Sequence, residues 1–355
     1  MSGDTTQEVQ LQLERAQALV ALGRSEEAVS MLHQLIASEP EIAPAWCLLA
    51  QAQGGVGDAQ AALAAAERAT ALAPENDWPH RLRSAALQQL GDLDGAIAAA
   101  REAVAADPDN WRTHRRLAIC MIVAKRDAGD ALQAAERAVA LAPNEPSAHH
   151  TLGAAHEMRG NHDEADRCFR QALALDPQYS PAHDALAHRQ LAASGFGRAG
   201  NLAAAATGFR DAVRADPRAD DSATNVERVL QVFIARLSYL IFLIVWLGSR
   251  IRGDTLGARI APLLLLAVPA AFAVRFLSRL APDLRKQTAY VAFHGKLAAS
   301  SIAQTVAVAL LILGAVAPGE GRSIGLGLAV LSSLCARLLL PRRRSLLSRI
   351  RRARA

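Results

Sequence analysis

The stretch PSAHHTLGAAHEMRGNHDEADRCFRQALALDP, residues 146–177, decides the fold. Gly160 stands near its middle, where two antiparallel helices need a tight turn that glycine enters without a Cβ clash. Pro177 closes the unit, because proline cannot continue the second helix. Working outward, the endings SEP, LAP, ADP, LAP, LDP and ADP place Pro40, Pro74, Pro108, Pro143, Pro177 and Pro217 at spacings of 34, 34, 35, 34 and 40. A recurring unit of about 34 residues belongs to helix-turn-helix solenoids.

Other positions keep the register. Gly23, Gly57, Gly91, Gly160 and Gly200 each lie 17 residues before their proline, at the expected turn. Small residues lie 12 before it (Ala28, Ala62, Ala96, Ala131, Ala165, Ala205) and 5 before it (Ala69, Ala103, Ala138, Ala172, Ala212), where neighbouring helices approach closely. On the first helix of each unit another small residue recurs at Ala16, Ala50, Ser84, Ala118, Gly153 and Ala187, usually after leucine. The first half is rich in Ala, Leu, Gln, Glu and Arg, all good helix formers, so an all-α protein is expected.

This pattern resembles the tetratricopeptide repeat family over residues 9–218. Trp46 stands at the family's tryptophan position, Leu152-Gly153 matches its leucine-glycine pair, and Phe169 and Phe209 match its second-helix aromatic. The first-helix tyrosine is missing throughout, unit four has an extra residue and no turn glycine, and unit six carries six extra residues around Ala192–Arg198. The resemblance implies a right-handed superhelix of six helix-turn-helix units whose first helices line a concave groove for a partner's peptide, and it implies no reaction. Projecting the family's groove positions gives Cys47, Gln51, Trp78, Arg81, Gln88, Arg112, Arg115, Ile119, His150, Glu157, Asp184 and His188, with Arg116 beside them. Arginine therefore gathers mid-groove within an acidic domain. Two readings stand: a site for an acidic peptide or a C-terminal carboxylate, which guanidinium binds bidentately, or a solvated face neutralised by nearby Asp and Glu. The lysine and asparagine with which some family members clamp a chaperone tail are not present, so that ligand is not carried over.

No GxSxG, HExxH or P-loop appears, so neither catalysis nor a cofactor is expected. GFGRAG at 195–200 follows a helix rather than a strand and is read as a loop. His80, His114, His149 and His183 share one repeat position, but stacked helices hold equivalent positions at least about 8 to 10 Å apart, too far to share a zinc. They read as substitutes for an aromatic packing residue. Cys47, Cys120, Cys168 and Cys335 form no CxxC pair and indicate neither zinc nor disulfides.

The second half differs sharply. Residues 1–220 hold 20 Lys+Arg against 29 Asp+Glu, a net of −9, and residues 221–355 hold 19 against 5, a net of +14. With apolar stretches in the second part, this charge split points to a membrane-inserted segment and away from nucleic acid. The expected organisation is a tail at 1–8, the solenoid at 9–218, a capping and linking helix at 219–236, a transmembrane domain at 237–340 and a basic tail at 341–355. Leu297–Ala317, 21 residues without a charge, is the surest span. Leu237–Ser249, Ile260–Val274 and Ser323–Leu340 are further spans, so four helices in two hairpins are expected, with three spans and a surface helix as the alternative. No Asp or Glu falls within any of them, which disfavours an ion pathway, and small residues such as Gly325 and Gly327 suit self-association of the spans.

Arginine placement puts the 275–296 loop and the C-terminus inside, and an even number of spans puts the solenoid there too. The N-terminus MSGDTTQEVQ has no apolar signal region, in keeping with that side. Arg250, Arg252 and Arg259 then lie outside, against the rule. Arg342, Arg343, Arg344, Arg349, Arg351, Arg352 and Arg354 are expected at anionic lipid. The function expected is an adaptor in the inner membrane, multi-pass, with its groove binding partner proteins on the cytoplasmic face. A regulatory or structural part of a transport or secretion assembly is the alternative.

Overall fold

The computed structural model describes residues 2–194 and 199–216 and, beyond them, single helical positions between Asn225 and Leu243 and between Ala273 and Arg279. The described elements are all helices: α1 (Ser2–Ala21), α2 (Ser25–Ser38), α3 (Ala43–Val56), α4 (Ala59–Leu72), α5 (Asp77–Leu90), α6 (Leu93–Ala106), α7 (Trp111–Ala124), α8 (Ala128–Leu141), α9 (Pro146–Met158), α10 (His162–Leu175), α11 (Ser180–Ala192) and α12 (Ala199–Ala215). They fall into two compact units, residues 1–177 and 178–355.

In the first unit the helices alternate as five antiparallel pairs, and each pair begins where the repeat register places it. Gly57 and Gly91 close α3 and α5 in the left-handed conformation, with φ of 92° and 87°. The aspartate that follows caps the next helix, Asp58 accepting from the Ala61 amide at 3.0 Å and Asp92 from the Gly95 amide at 2.9 Å. The small residues of the register are buried as the pattern requires, with Ala16, Ala28, Ala69, Ala96, Ala103, Ala118, Ala131 and Ala165 all fully inaccessible. First helices also pack on one another in series, α1 on α3, α3 on α5, α5 on α7 and α7 on α9, while no two second helices pack to the same extent. The closer row lies on the inner side of a curve, so within this unit the array bends toward its first helices.

Two local expectations are corrected. The stretch set aside as an N-terminal tail is helical from Ser2 onward. Gly200, expected as the turn of unit six, lies inside α12, which already begins at Ala199. Unit four turns without glycine by placing Lys125 and Asp127 at positive φ, 53° and 48°.

The second unit pairs α11 with α12, and its core contains Leu202, Phe209, Val229, Phe233 and Phe276. Of the linking helix expected at 219–236, only Asn225, Val229, Val232, Phe233 and Arg236 lie among the described residues. Among the described residues no helix is long and apolar enough to cross a membrane. The spans expected at 237–340 lie outside the described residues except for Leu237, Tyr239, Leu240, Leu243 and Ala273–Val274, and the basic tail lies wholly outside them.

Candidate functional site

The candidate groove is built on α5, α7 and α9. Asn76 and Asn110 start two of these helices by accepting from the Trp78 amide (2.9 Å) and the Arg112 amide (3.1 Å). That sets which residues of the first turn face along the row. Arg81 is bound by its own helix, its Nε donating to Asp77 Oδ2 at 2.5 Å, and Asp77 also accepts from Asn110 at 3.3 Å. Trp78 is half-buried against the core of the first two repeats. Cys47 is buried beneath the row, and burial pushes its thiol up to about 12.

The three arginines of α7 take different neutral partners. The Arg112 guanidinium lies 4.7 Å from the centre of the Trp111 ring. Arg115 Nε donates to the Ser147 carbonyl at 3.3 Å, reaching the start of α9. Arg116 is half-buried and reaches back to α5, donating to Ser84 Oγ (2.9 Å), the Ser84 carbonyl (3.0 Å) and Gln88 Oε1 (2.6 Å). Burial lowers its basicity from the ordinary arginine value. Gln88 is thereby committed to Arg116. None of the three makes an ion pair with a carboxylate among the described residues, whereas Arg24, Arg68, Arg81, Arg83, Arg126 and Arg137 all do.

The later candidates disperse. His150 packs against Phe169, with ring centres 5.5 Å apart. Glu157 is exposed and lines an open pocket of about 560 Å³ with Ile122, Lys125, Asp127 and Met158, at the ends of α7 and α9. His188 belongs to the second unit, edge-on to Phe209 at 4.8 Å and 3.2 Å from Asn225 Nδ2. The structure therefore brings Arg81, Gln88, Arg112, Arg115 and Arg116 together on neighbouring first helices, α5 and α7.

The shared histidines have a role that sequence alone left general. His80, His114 and His149 each place Nε2 at 2.8, 2.8 and 2.7 Å from the carbonyl of Pro74, Pro108 and Pro143, six residues earlier. A carbonyl only accepts, so each ring nitrogen donates. Trp46 does the same with its indole N–H to the Pro40 carbonyl at 2.8 Å. Imidazole thus replaces indole as a latch holding the inter-repeat corner. Among the described residues no group of His, Cys, Asp or Glu could hold a metal ion.

The Ser84–Arg116–Gln88 network was missed as a structural unit. A signal existed: Arg116 occupies the repeat position held by Leu48 and Leu82, and a charge at an apolar register position foretells burial with hydrogen-bond partners.

Models described as tetratricopeptide repeat match residues 9–52, 43–76, 82–146 and 146–179. No curated protein matches the chain. Among solved structures, the Cut9–Hcn1 hetero-tetramer of the APC/C is similar with a TM-score of 0.50 at 19% identity, covering 61% of this chain and 42% of that one. A thermophilic TPR protein of Thermus thermophilus matches with a TM-score of 0.46 at 22% identity, over 49% of this chain and 94% of that one. YrrB, described as a TPR protein with an unusual peptide-binding site, gives 0.36 at 16% identity over 48% and 88%.

Proposed function

We propose that this chain, whose residues between 9 and 179 are tetratricopeptide repeats, is an interaction scaffold held at a membrane by its C-terminal half, its groove around α7 taking an acidic segment of a partner protein. Arrays of this family serve as protein–protein interaction scaffolds, typically without catalysis. The observation that carries the acidic ligand is the set of Arg112, Arg115 and Arg116, three guanidinium groups on one helix with only neutral partners. Arg116 is held stiffly by Ser84 and Gln88 and supplies fixed positive potential, while Arg112 and Arg115 are the groups open to a bidentate carboxylate. Burial weakens screening around Arg116, so its field reaches an incoming carboxylate more strongly than that of a fully solvated cation.

The tether rests on the charge split between the halves, on the 21 uncharged residues Leu297–Ala317 and on the seven arginines of the 341–355 tail. In this reading the protein is multi-pass in the plasma membrane, with the repeats and the C-terminus on the cytoplasmic side. Crosslinking and pull-down with the full chain should recover partners that are lost on R112E/R115E double reversal, with unchanged helicity by circular dichroism. Equal recovery from the double variant would reject the groove assignment.

A further inference from the structure

Between α6 and α8, with α7 as its base, lies a cleft of about 430 Å³. It meets α7 through His114, Leu117 and Met121, whose helical spacing puts them on one face, opposite the face of Arg112, Arg115 and Arg116. The floor is apolar, formed by half-buried Leu117 and Val104 and by buried Met121 and Ala134. Exposed Arg101 of α6 and Arg137 of α8 stand at the rim. Because α7 runs antiparallel to α8, His114 near its start lies level with Arg137, and Met121 lies level with Asp130 in the first turn of α8. The cleft is therefore cationic at one end, apolar along its floor, and bordered by Gln133 and Asp130 toward the other end.

The repeat supplies an internal control. One unit earlier, the positions of Arg101, Val104, Leu117 and Arg137 hold Glu67, Thr70, Arg83 and Glu102. There Arg83 donates to Glu102, and His80 Nδ1 lies 3.1 Å from Glu102 Oε2, so the chain's own charges bridge α5 and α6. Leucine at 117 and arginine at 137 remove that bridge and leave apolar surface between two cations. Along the first unit the two rim positions read His33 and Arg68, Glu67 and Glu102, Arg101 and Arg137, then Glu136 and Gln171. Arginine holds both positions in the α6–α8 pair alone. Arg137 bonds Asp109 at 3.1 Å in an exposed ion pair, a kind that contributes little and yields readily to a competitor. Arg101 has no ion pair among the described residues.

We propose that this cleft is a second docking site, for a partner-protein segment that lays one large apolar side chain on Val104, Leu117 and Met121. A carboxylate on one side of that residue meets Arg101 and Arg137, and a cation or amide on the other side meets Asp130 and Gln133. Charge complementarity selects this occupant. Two guanidinium groups at one end make charge-assisted bonds to a carboxylate, while Asp130 at the other end repels a second acid. The site does not depend on the groove reading above, and with that groove on the opposite face of α7 the array can hold two segments at once.

The test is fluorescence anisotropy with the purified full chain and fluorescein-labelled, end-capped peptides in which leucine or phenylalanine stands between a glutamate flank and an arginine flank, in both orders. One order should bind. R101E/R137E, which gives the rim the charges of the preceding unit at exposed positions, should weaken that binding at least about tenfold with unchanged helicity. L117R/R137E, which rebuilds the bridge of that unit, should weaken it as well, and R112E/R115E should leave it unchanged. Binding by neither order, or equal binding by R101E/R137E, overturns the site. Equal binding of both orders overturns the charge order. Loss on R112E/R115E alone moves the peptide to the groove and overturns a separate cleft site. Binding only by an uncapped peptide ending in leucine makes the occupant a chain terminus and overturns the segment.

Discussion

At Gly153 an added Cβ would stand 2.6 and 2.7 Å from Phe169 Cε1 and Cδ1, so the leucine-glycine pair and the second-helix aromatic of this repeat are one packing decision. Phe169 is fully buried and cannot retreat without opening a void. Gly153→Ala should therefore destabilise the array by about 1–3 kcal/mol, as overpacking does. At Gly54 the nearest atoms to such a Cβ are 3.9 Å away, so Gly54→Ala should stabilise by about 0.5–1 kcal/mol through helix propensity alone. Urea titrations of the two variants check the opposite signs, and a loss at both positions would refute the packing argument. The same scale explains the arginines of α7. A guanidinium that fills an apolar register position, that of Arg116, is used structurally, on Ser84 and Gln88.

Among the connections of the first unit, the turn between α7 and α8 departs from its siblings. Its C-cap Lys125 holds φ at 53°, where Gly57 and Gly91 hold equivalent corners, and Asp127 also lies in the left-handed region with no side-chain cap, unlike Asp58 and Asp92. The turn is retained by the ion pair of Arg126 with Asp94 on α6 and by the backbone bond from the Arg126 amide to the Met121 carbonyl, 3.1 Å. A residue with a Cβ costs about 1–2 kcal/mol there, and glycine gives back about 0.4–1 kcal/mol of unfolded-chain entropy. Lys125→Gly should thus raise stability by up to about 1 kcal/mol, read as a shifted denaturation midpoint at constant slope. A lower midpoint would mean that the lysine side chain itself holds the turn.

The molecule as a whole is two units with separate cores, and solenoid stability is a sum of local and nearest-neighbour contributions. Phe276 contributes to the second core from some 60 residues beyond α12. Phe276→Ala should cost about 3–5 kcal/mol in that core. Hydrogen exchange should then show loss of protection concentrated in α11 and α12, with α1 to α8 retaining theirs. Uniform loss across all twelve helices would contradict two separate cores.

By itself the sequence determined the period, the helix pairs, the buried small residues and the first helices that carry the arginines. All of these follow from local rules that recur every 34 residues: a turn, a stop and a close approach. It could also place Trp46 and the histidines at one position, because register is a property of the chain. Tertiary structure alone decided which acceptors those rings serve, that Arg116 is spent on Ser84 and Gln88 while Arg112 and Arg115 are not, and that Phe276 returns to Phe233. Each of these joins residues whose separation breaks the repeat or whose partner is a backbone carbonyl with no signature of its own.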